Sequence, residues 1–239
     1  MNGVALITGA GRGLGAALAT RLAFDGFRVA LHYRSSADGA ARTCSAIQES
    51  GGIAELFCAD LARDAEAMKL ADAVGTRFGR IDLLINNAGI YRERHGLQLS
   101  EEEWFEGLNS TVTQSFFTTR ASLPWMQNSR LKRIINIGDS SCDRPGARDY
   151  AWSYHIGKTG LWILTRSLAA ELAADGVAVN MVSPGFLENS IGNTGAEPIP
   201  AGRPGSFEDI YRAIKFLALE APAYLTGSNL VVSGGWNLR

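Results

Sequence analysis

Seven short apolar runs alternate along the chain with longer stretches that have the periodicity of amphipathic helices. The runs are Val4–Ile7, Arg28–Tyr33, Ile53–Cys58, Leu83–Asn86, Arg133–Ile137, Val177–Val182 and Leu230–Val232. The helical stretches are Leu14–Phe24, Ala37–Glu49, Ala65–Phe78, Glu101–Met126, Ser153–Ala174 and Phe207–Leu219. Runs this short are typical of strands that are buried on both faces of a sheet. The alternation predicts an α/β fold with one doubly wound, parallel, seven-stranded sheet and helices on both faces.

Composition and charge set further limits. The 239 residues, 46% of them hydrophobic, predict a single domain over residues 1–239. A formal net charge of −1 gives no sign of nucleic-acid or anionic-membrane binding. The first strand leaves no room for a signal peptide, and no apolar run approaches the roughly 18 residues that span a bilayer. Cys44, Cys58 and Cys142 lack metal-ligand spacing, so we expect free thiols, no metal and a cytoplasmic location.

A glycine-rich stretch, Thr8-Gly-Ala-Gly-Arg-Gly-Leu-Gly15, joins the first predicted strand to the first predicted helix. Glycine lets a backbone turn tightly and approach a ligand closely. The free N–H groups and the positive end of the helix dipole attract an anion at this point. Gly9, Gly13 and Gly15 therefore predict a seat for a dinucleotide pyrophosphate.

Tyr154 and Lys158 lie four residues apart in a predicted helix, so their side chains share one face. A phenol titrates near pH 10, which is about three units too high for proton exchange at neutrality. A lysine ammonium nearby favours the phenolate and would lower that pKa. The spacing predicts that Tyr154 donates a proton and that Lys158 adjusts its pKa.

The order of these motifs, with Asn86-Asn-Ala-Gly89 between them, resembles that of the classical short-chain dehydrogenase/reductases from residue 3 to residue 236. The resemblance implies a Rossmann-type sheet with strand order 3-2-1-4-5-6-7 and a ligand cleft outside the carboxyl ends of the strands. It also implies that Lys158 binds the nicotinamide ribose and that Asn109 completes a proton relay. Dimer contacts through helices 101–126 and 153–174 are expected, in a homodimer or homotetramer.

The same resemblance implies further cofactor contacts. They are Leu14 in the glycine loop, Tyr33 after the second strand, the adenine-binding pair Asp60-Leu61, then Asn87, Ala88, Gly89, Pro184 and Gly185. The chain departs from the family beyond Gly185, where a Thr is usual. Asn189 and Ser190 are the available substitutes at that position.

The end of the second strand decides which nicotinamide cofactor binds. Enzymes that prefer the unphosphorylated form usually place an acidic residue there, but this chain has His32-Tyr33-Arg34-Ser35-Ser36. Arg34 can form a fork on a 2′-phosphate and Ser35 can donate to it. Arg12 is similarly placed in relatives that use NADPH. We expect NADP(H); the alternative is that Arg34 is only a solvated loop cation.

The family's fourth catalytic residue is normally a Ser just after the fifth strand. Counting from the strand residues Ile135-Asn-Ile-Gly138 gives Asp139, whereas counting back thirteen residues from Tyr154 gives Ser141. Strand-end geometry varies less than loop length, so Asp139 is favoured and Ser141 remains the alternative.

Together, the motifs and the family resemblance predict NADPH-dependent reduction of a carbonyl. The glycine loop resembles that of 3-oxoacyl-carrier-protein reductases. Asp139 and the aromatic Tyr91 instead resemble pteridine reductases, which reduce a C=N bond. A third reading is a binding protein that senses NADPH without turnover, which would not need Tyr154, Lys158 and Asn109. Phe186 and Trp236 are candidate walls of the substrate pocket, and residues 186–205 are predicted to form a lid over it.

Overall fold

The computed structural model describes residues 3–144, 146–190 and 199–236. Its strands are β1 (Val4–Ile7), β2 (Arg28–Tyr33), β3 (Ala54–Cys58), β4 (Leu83–Asn86), β5 (Arg133–Ile137), β6 (Ala178–Pro184) and β7 (Asn229–Val232). They form one sheet in the order β3-β2-β1-β4-β5-β6-β7. The predicted fold class and strand order are therefore confirmed.

Seven α-helices connect these strands within the described residues. They are α1 (Gly13–Phe24), α2 (Ala37–Glu49), α3 (Asp64–Phe78), α4 (Glu101–Leu108), α5 (Gln114–Met126), α6 (Trp152–Leu172) and α7 (Phe207–Lys215). Short 3₁₀ turns lie at Gly96–Gln98 and Ala173–Asp175, and π-helical turns lie at Asn109–Thr113 and Phe216–Glu220.

The chain divides into two compact units. The first comprises Met1–Ala88 and Gln114–Ile135, and the second comprises Gly89–Thr113 and Asn136–Arg239. In the first unit β1 is buried along its whole length and pairs in parallel with β2 and β4. In the second unit β6 and β7 pair in parallel, with Met181 opposite Asn229. The prediction that residues 1–239 act as a single domain remains a prediction.

The expected continuous helix over residues 101–126 is wrong in detail, because a π-helical turn separates α4 from α5. Thr111 Oγ1 donates to the carbonyl oxygen of Gly107 at 2.7 Å and lies 3.1 Å from that of Leu108. Such side-chain bonds compete with the backbone ladder and disturb a helix. A π-turn is a common feature of functional sites, and this one begins at Asn109.

Helices α3 and α5 approach each other closely at a glycine. A Cβ built on Gly75 would lie 2.0 Å from Trp125 Cδ2, which is far inside contact distance. The indole Nε1 of Trp125 donates to Asp72 at 3.1 Å, so the ring is also held from its polar edge. Gly75 is therefore required for packing, although glycine is a poor helix former.

Gly75→Ala is expected to lower the free energy of unfolding by about 1–3 kcal/mol, because the ring and the helix must move apart. The gain in helix propensity, about 1 kcal/mol, offsets this only in part. Urea denaturation measures the change. Gly160→Ala in α6 is the matched control, since its nearest neighbour is Val112 Cγ2 at 3.6 Å. Equal stability of the two variants would contradict this account.

Candidate active site

The glycine loop follows β1 directly and turns into α1 in a conformation that favours glycine. Gly9 and Gly13 have φ values of +66° and +56°. A Cβ on Gly9 would lie 2.9 Å from the Cα of Ala88, and one on Gly15 would lie 2.3 Å from the carbonyl oxygen of Gly9. Gly9 and Gly15, two of the three glycines predicted from sequence, thus allow this close packing, and Gly13 supplies a backbone conformation that favours glycine.

The loop after β4 holds the glycine loop through a small hydrogen-bond network. Thr8 Oγ1 accepts hydrogen bonds from the backbone N–H groups of Asn87 and Ala88 at 2.9 and 3.0 Å. Asn87 Nδ2 in turn donates to the carbonyl oxygen of Thr8 at 2.9 Å. Asn87 and Ala88, which were predicted as cofactor contacts, therefore also fix the loop that would hold the cofactor.

His32 connects the glycine loop with the loop that follows β3, a role the sequence did not reveal. Its Nδ1 accepts from the Gly9 N–H at 3.2 Å, and its Nε2 lies 3.1 Å from the carbonyl oxygen of Ala59. The first contact requires an unprotonated Nδ1, so the Nε2 carries the hydrogen and donates it. Burial lowers the pKa of His32 to about 4 and keeps the ring neutral. The sequence feature that could have indicated this role is a polar residue within an apolar strand.

The start of α1 fits a pyrophosphate. Arg12 is the N-cap residue of this helix, and its side chain makes no capping hydrogen bond. The helix has no acidic residue in its first turn, so its positive end is not neutralised locally. Residues of the predicted cofactor set thus present a helix N-terminus of the kind that binds phosphate groups.

A cavity of about 290 Å³ adjoins the glycine loop and the start of α2. Arg12 and Ser35, two predicted cofactor residues, line it together with Arg42. Arg34, the residue predicted to read the 2′-phosphate, is exposed but is not among the residues that line this cavity.

The remaining predicted contacts of this unit lie at the ends of strands. Tyr33 is the last residue of β2, and Leu61, close after β3, is buried. Asp60 Oδ1 accepts from the N–H of Ala62 at 3.3 Å, as a turn residue does. Leu14 is the second residue of α1.

Tyr154 and Lys158 occupy the first two turns of α6, as predicted. The Lys158 Nζ lies 5.5 Å from the centre of the Tyr154 ring. The same Nζ donates to the carbonyl oxygen of Ile137, the last residue of β5, at 2.5 Å. This bond fixes a buried ammonium group beside the phenol.

The pKa shifts differ from the sequence expectation. Burial, and then the charge of Asp139, raise the pKa of Tyr154 above its usual value rather than lowering it. Burial lowers the pKa of Lys158 to about 8, against the opposing effect of Asp139. Desolvation and the Asp139 carboxylate thus outweigh the effect of the ammonium, on which the prediction from sequence rested.

Asp139 and Ser141, the two candidates for the fourth catalytic position, contact each other. Asp139 Oδ1 accepts from the N–H of Ser141 at 2.9 Å and from its hydroxyl at 2.5 Å. The charge of Asp139 influences the pKa values of Tyr154 and Lys158, and Ser141 is buried. The carboxylate therefore acts electrostatically on the predicted catalytic pair, and its hydrogen bonds to Ser141 hold it in place.

The turn that carries Asn109 packs against the turn of α6 that carries the catalytic pair. A Cβ on Gly107 would lie 2.1 Å from Ser153 Oγ, and one on Gly157 would lie 1.9 Å from Thr111 Oγ1. In the sequence, Asn109 lies between Gly107 and Thr111, and Tyr154 lies between Ser153 and Gly157. Gly107 and Gly157 were missed at the sequence level because a single glycine in a helix carries no contact information.

Aromatic rings surround the catalytic tyrosine. Tyr91 packs edge-on against Tyr154 with ring centres 5.2 Å apart, and His155 packs against both rings. Phe186 and Trp236, the other predicted substrate residues, form a separate edge-on pair at 4.7 Å.

The segment predicted as a lid is described only at its two ends. The Gly205 N–H donates to the carbonyl oxygen of Phe186 at 2.9 Å, and Glu188 N–H donates to that of Gly205 at 3.0 Å. Residues 191–198, the middle of the predicted lid, lie outside the described residues.

The neighbouring predicted cofactor residues are ordinary parts of the second unit's backbone. Pro184 accepts from the Ser140 N–H at 2.9 Å, and a Cβ on Gly185 would lie 2.8 Å from the Cα of Ser233. Gly89, next to Ala88, is exposed.

Two negative findings apply to residues 3–144, 146–190 and 199–236. No helix there has both the length and the hydropathy for crossing a bilayer. His, Cys, Asp and Glu side chains in this part of the chain form no group of three that could hold a metal ion.

The buried His32 makes stability depend on pH. Its pKa is depressed in the folded state, so the unfolded chain binds a proton between about pH 6.5 and 4 that the folded chain does not. Stability should therefore decrease as the pH falls through this range, by about 3 kcal/mol at most. His32→Asn, which keeps an acceptor for Gly9, should remove this slope of about one proton. Urea unfolding at several pH values would contradict the prediction if both proteins showed the same slope.

Comparisons with known proteins agree with this geometry. A family model described as enoyl-(acyl carrier protein) reductase matches residues 9–237. A 3-oxoacyl-[acyl-carrier-protein] reductase of Synechocystis sp. is 37% identical over 97% of this chain and 96% of its own length. Its counterpart from Staphylococcus epidermidis is 33% identical over 98% of this chain and 99% of its own length.

Solved structures give the same result. The crystal structure of a blue fluorescent protein from a metagenomic library, in complex with NADPH, has a TM-score of 0.89 and 30% identity over 98% of each chain. A short-chain dehydrogenase from Burkholderia cenocepacia, in complex with NADP, has a TM-score of 0.88 and 29% identity over 96% of each chain. With a family model over nearly the whole chain and relatives above 30% identity, this protein belongs to the short-chain dehydrogenase/reductase family.

Proposed function

We propose that this protein reduces the ketone of a 3-oxoacyl thioester to an alcohol, with NADPH as the reductant. The observation that carries the proposal is the group formed by Tyr154, Lys158 and Asp139. It places a protonated phenol beside a buried ammonium group. The curated relatives named above are 3-oxoacyl reductases, whereas the family model is described by enoyl reduction. The closer full-length relatives favour the ketone.

The cofactor is NADP(H), as the sequence predicted. Both solved relatives described above contain the phosphorylated nicotinamide cofactor. The end of β2 carries no carboxylate that would repel a 2′-phosphate, and two arginines line the adjoining cavity. When bound, NADPH supplies the hydride for reduction.

The catalytic residues of this chain supply the proton and stabilise charge. Tyr154 holds the proton that passes to the substrate oxygen, and its raised pKa keeps the phenol protonated at neutral pH. Lys158 is positively charged below about pH 8, so it stabilises the negative charge that develops on the phenol oxygen. Asn109, the first residue of the π-turn, is the proposed relay for a replacement proton.

The side chain of Asp139 affects the two candidate substrate classes differently. An ionised carboxylate only accepts hydrogen bonds, so it cannot polarise a ketone oxygen. Ser141 can do so only if its hydroxyl turns away from Asp139. A protonated Asp139 could instead donate to a ring nitrogen, which is the reason that reduction of a dihydropterin stays the second candidate. Tyr91, Phe186 and Trp236 are proposed substrate contacts in either case.

We propose a cytoplasmic location and a homo-oligomeric assembly. The three cysteines are free thiols, which suits a reducing cytoplasm. Exposed apolar side chains on α4 and α6 support a homodimer or homotetramer: Phe105 is 51% exposed, Ile156 52% and Ile163 63%.

The proposed function is tested by NADPH oxidation with simple ketones, 3-oxoacyl thioesters and dihydropterins. We expect the 3-oxoacyl thioesters to give the highest kcat/KM, and Tyr154→Phe to abolish turnover while NADPH still binds. Higher kcat/KM with dihydropterins would select the second candidate. No turnover with any substrate, together with tight NADPH binding, would indicate a non-catalytic NADPH sensor and contradict the proposal.

Asp139→Ser tests the role of the carboxylate. The change removes a negative charge beside Tyr154 and supplies a hydroxyl donor. Turnover of a 3-oxoacyl thioester at pH 7 should therefore be retained or increased, whereas reduction of a dihydropterin should fall by about 10²-fold or more. Ser141→Ala is the control, since it leaves the carboxylate in place. Loss of ketone reduction in Asp139→Ser alone would show that the carboxylate itself is needed.

A further inference from the structure

The first turn of α2 lies directly against the glycine loop because glycines stand on both sides of the contact. A Cβ on Gly39 would lie 2.0 Å from the carbonyl oxygen of Gly11, and one on Gly11 would lie 2.7 Å from Ser36 Cβ. Neither position tolerates a side chain without displacing backbone. The start of α2 is therefore fixed relative to the loop that fits the pyrophosphate.

The side chain of Arg42 lies beside the first turn of α2. Its Nη2 is 3.8 Å from the position that a Cβ on Gly39 would occupy, which is an ordinary contact distance. Arg42 lines the 290 Å³ cavity from α2, and Arg12 lines it from the glycine loop. Two arginines from two elements therefore border one space.

The charge of the cavity suits a phosphate. Arg12 and Arg42 contribute two positive charges and Asp38 contributes one negative charge. Two arginines can each form paired hydrogen bonds to a phosphate, whose geometry matches the planar fork. Ser35 adds a hydroxyl donor at the same wall. A neutral ribose hydroxyl would not need this concentration of positive charge.

We propose that Arg42 is a specificity-determining residue that binds the 2′-phosphate of NADPH together with Arg12. The inference rests on the proposed use of NADP(H) and deepens it. It gives Arg42 a larger role than Arg34, because Arg42 lines this cavity and Arg34, which directly follows β2, does not.

Calorimetry with two fragments tests the proposal without turnover. The probes are 2′,5′-ADP, which carries the 2′-phosphate, and 5′-AMP, which lacks it. Arg42→Gln should weaken binding of 2′,5′-ADP by at least about tenfold, as expected for a lost charge-assisted pair. Binding of 5′-AMP should change by less than about twofold. Asp38→Asn should have the opposite effect and tighten binding of 2′,5′-ADP, because it removes a like charge.

Matched controls exclude a general charge effect. Arg130→Gln removes an exposed cation of the same unit that does not line the cavity, and it should leave both affinities unchanged. Arg34→Gln should weaken binding of 2′,5′-ADP less than Arg42→Gln does. Arg42→Lys, which keeps the charge without the fork, should give an intermediate affinity.

The results distinguish a failure of the NADP(H) assignment from a failure of the role of Arg42 alone. If the wild-type protein binds 2′,5′-ADP no better than 5′-AMP, the NADP(H) assignment fails and the role of Arg42 fails with it. If the wild type prefers 2′,5′-ADP but Arg42→Gln leaves that preference unchanged, only the role of Arg42 is overturned. Equal weakening of both fragments would also overturn it, because it would indicate a change in the loop rather than a lost phosphate contact.

Discussion

The close contact between Gly9 and Ala88 is the constraint on which the first unit, which carries the glycine loop, depends. A side chain at residue 9 would reach within 2.9 Å of the Ala88 backbone, so the loops after β1 and β4 meet only because glycine is present. Thr8, Asn87 and the neutral ring of His32 then satisfy the polar groups of this contact. Buried donors without partners would cost roughly 1–3 kcal/mol each. The rigid loop that results needs little rearrangement to receive a pyrophosphate, and preorganisation of this kind favours affinity.

A second glycine-dependent contact lies in the second unit, which carries Tyr154 and Lys158. Gly107 and Gly157 allow the π-turn to lie against α6, and the Ile137 carbonyl fixes the ammonium of Lys158. Desolvation then shifts the pKa values of both catalytic groups, upward for Tyr154 and downward for Lys158. Both shifts favour the neutral form of the group concerned, as burial dictates. The same packing that positions the side chains therefore also sets their protonation.

Particular residues show how far the sequence could predict this arrangement. The apolar runs predicted the positions of all seven strands. Burial on both faces is confirmed for inner strands such as β1 and β4, but it is wrong for β3 and β7, which lie at the two edges of the sheet and are partly exposed. The spacing of Tyr154 and Lys158 predicted their shared helix face, and the glycine motif predicted the loop. The π-turn was not predicted, since the hydrogen bonds from the Thr111 hydroxyl to the backbone of its own helix cannot be read from the apolar pattern. Arg42 looked like any exposed helix cation, and only the fold brings it to the cavity beside Arg12.

The charge of Asp139 affects the protonation state of Tyr154. Oxidation of an alcohol requires a phenolate to accept the hydroxyl proton, whereas reduction of a ketone requires the protonated phenol. Burial and the Asp139 carboxylate both raise the pKa of Tyr154, so the protonated form is the ground state at neutral pH. A serine at residue 139 would lack the second of these effects. The carboxylate therefore disfavours the phenolate that alcohol oxidation needs, while the same rise in pKa makes the phenol a weaker acid towards a ketone oxygen.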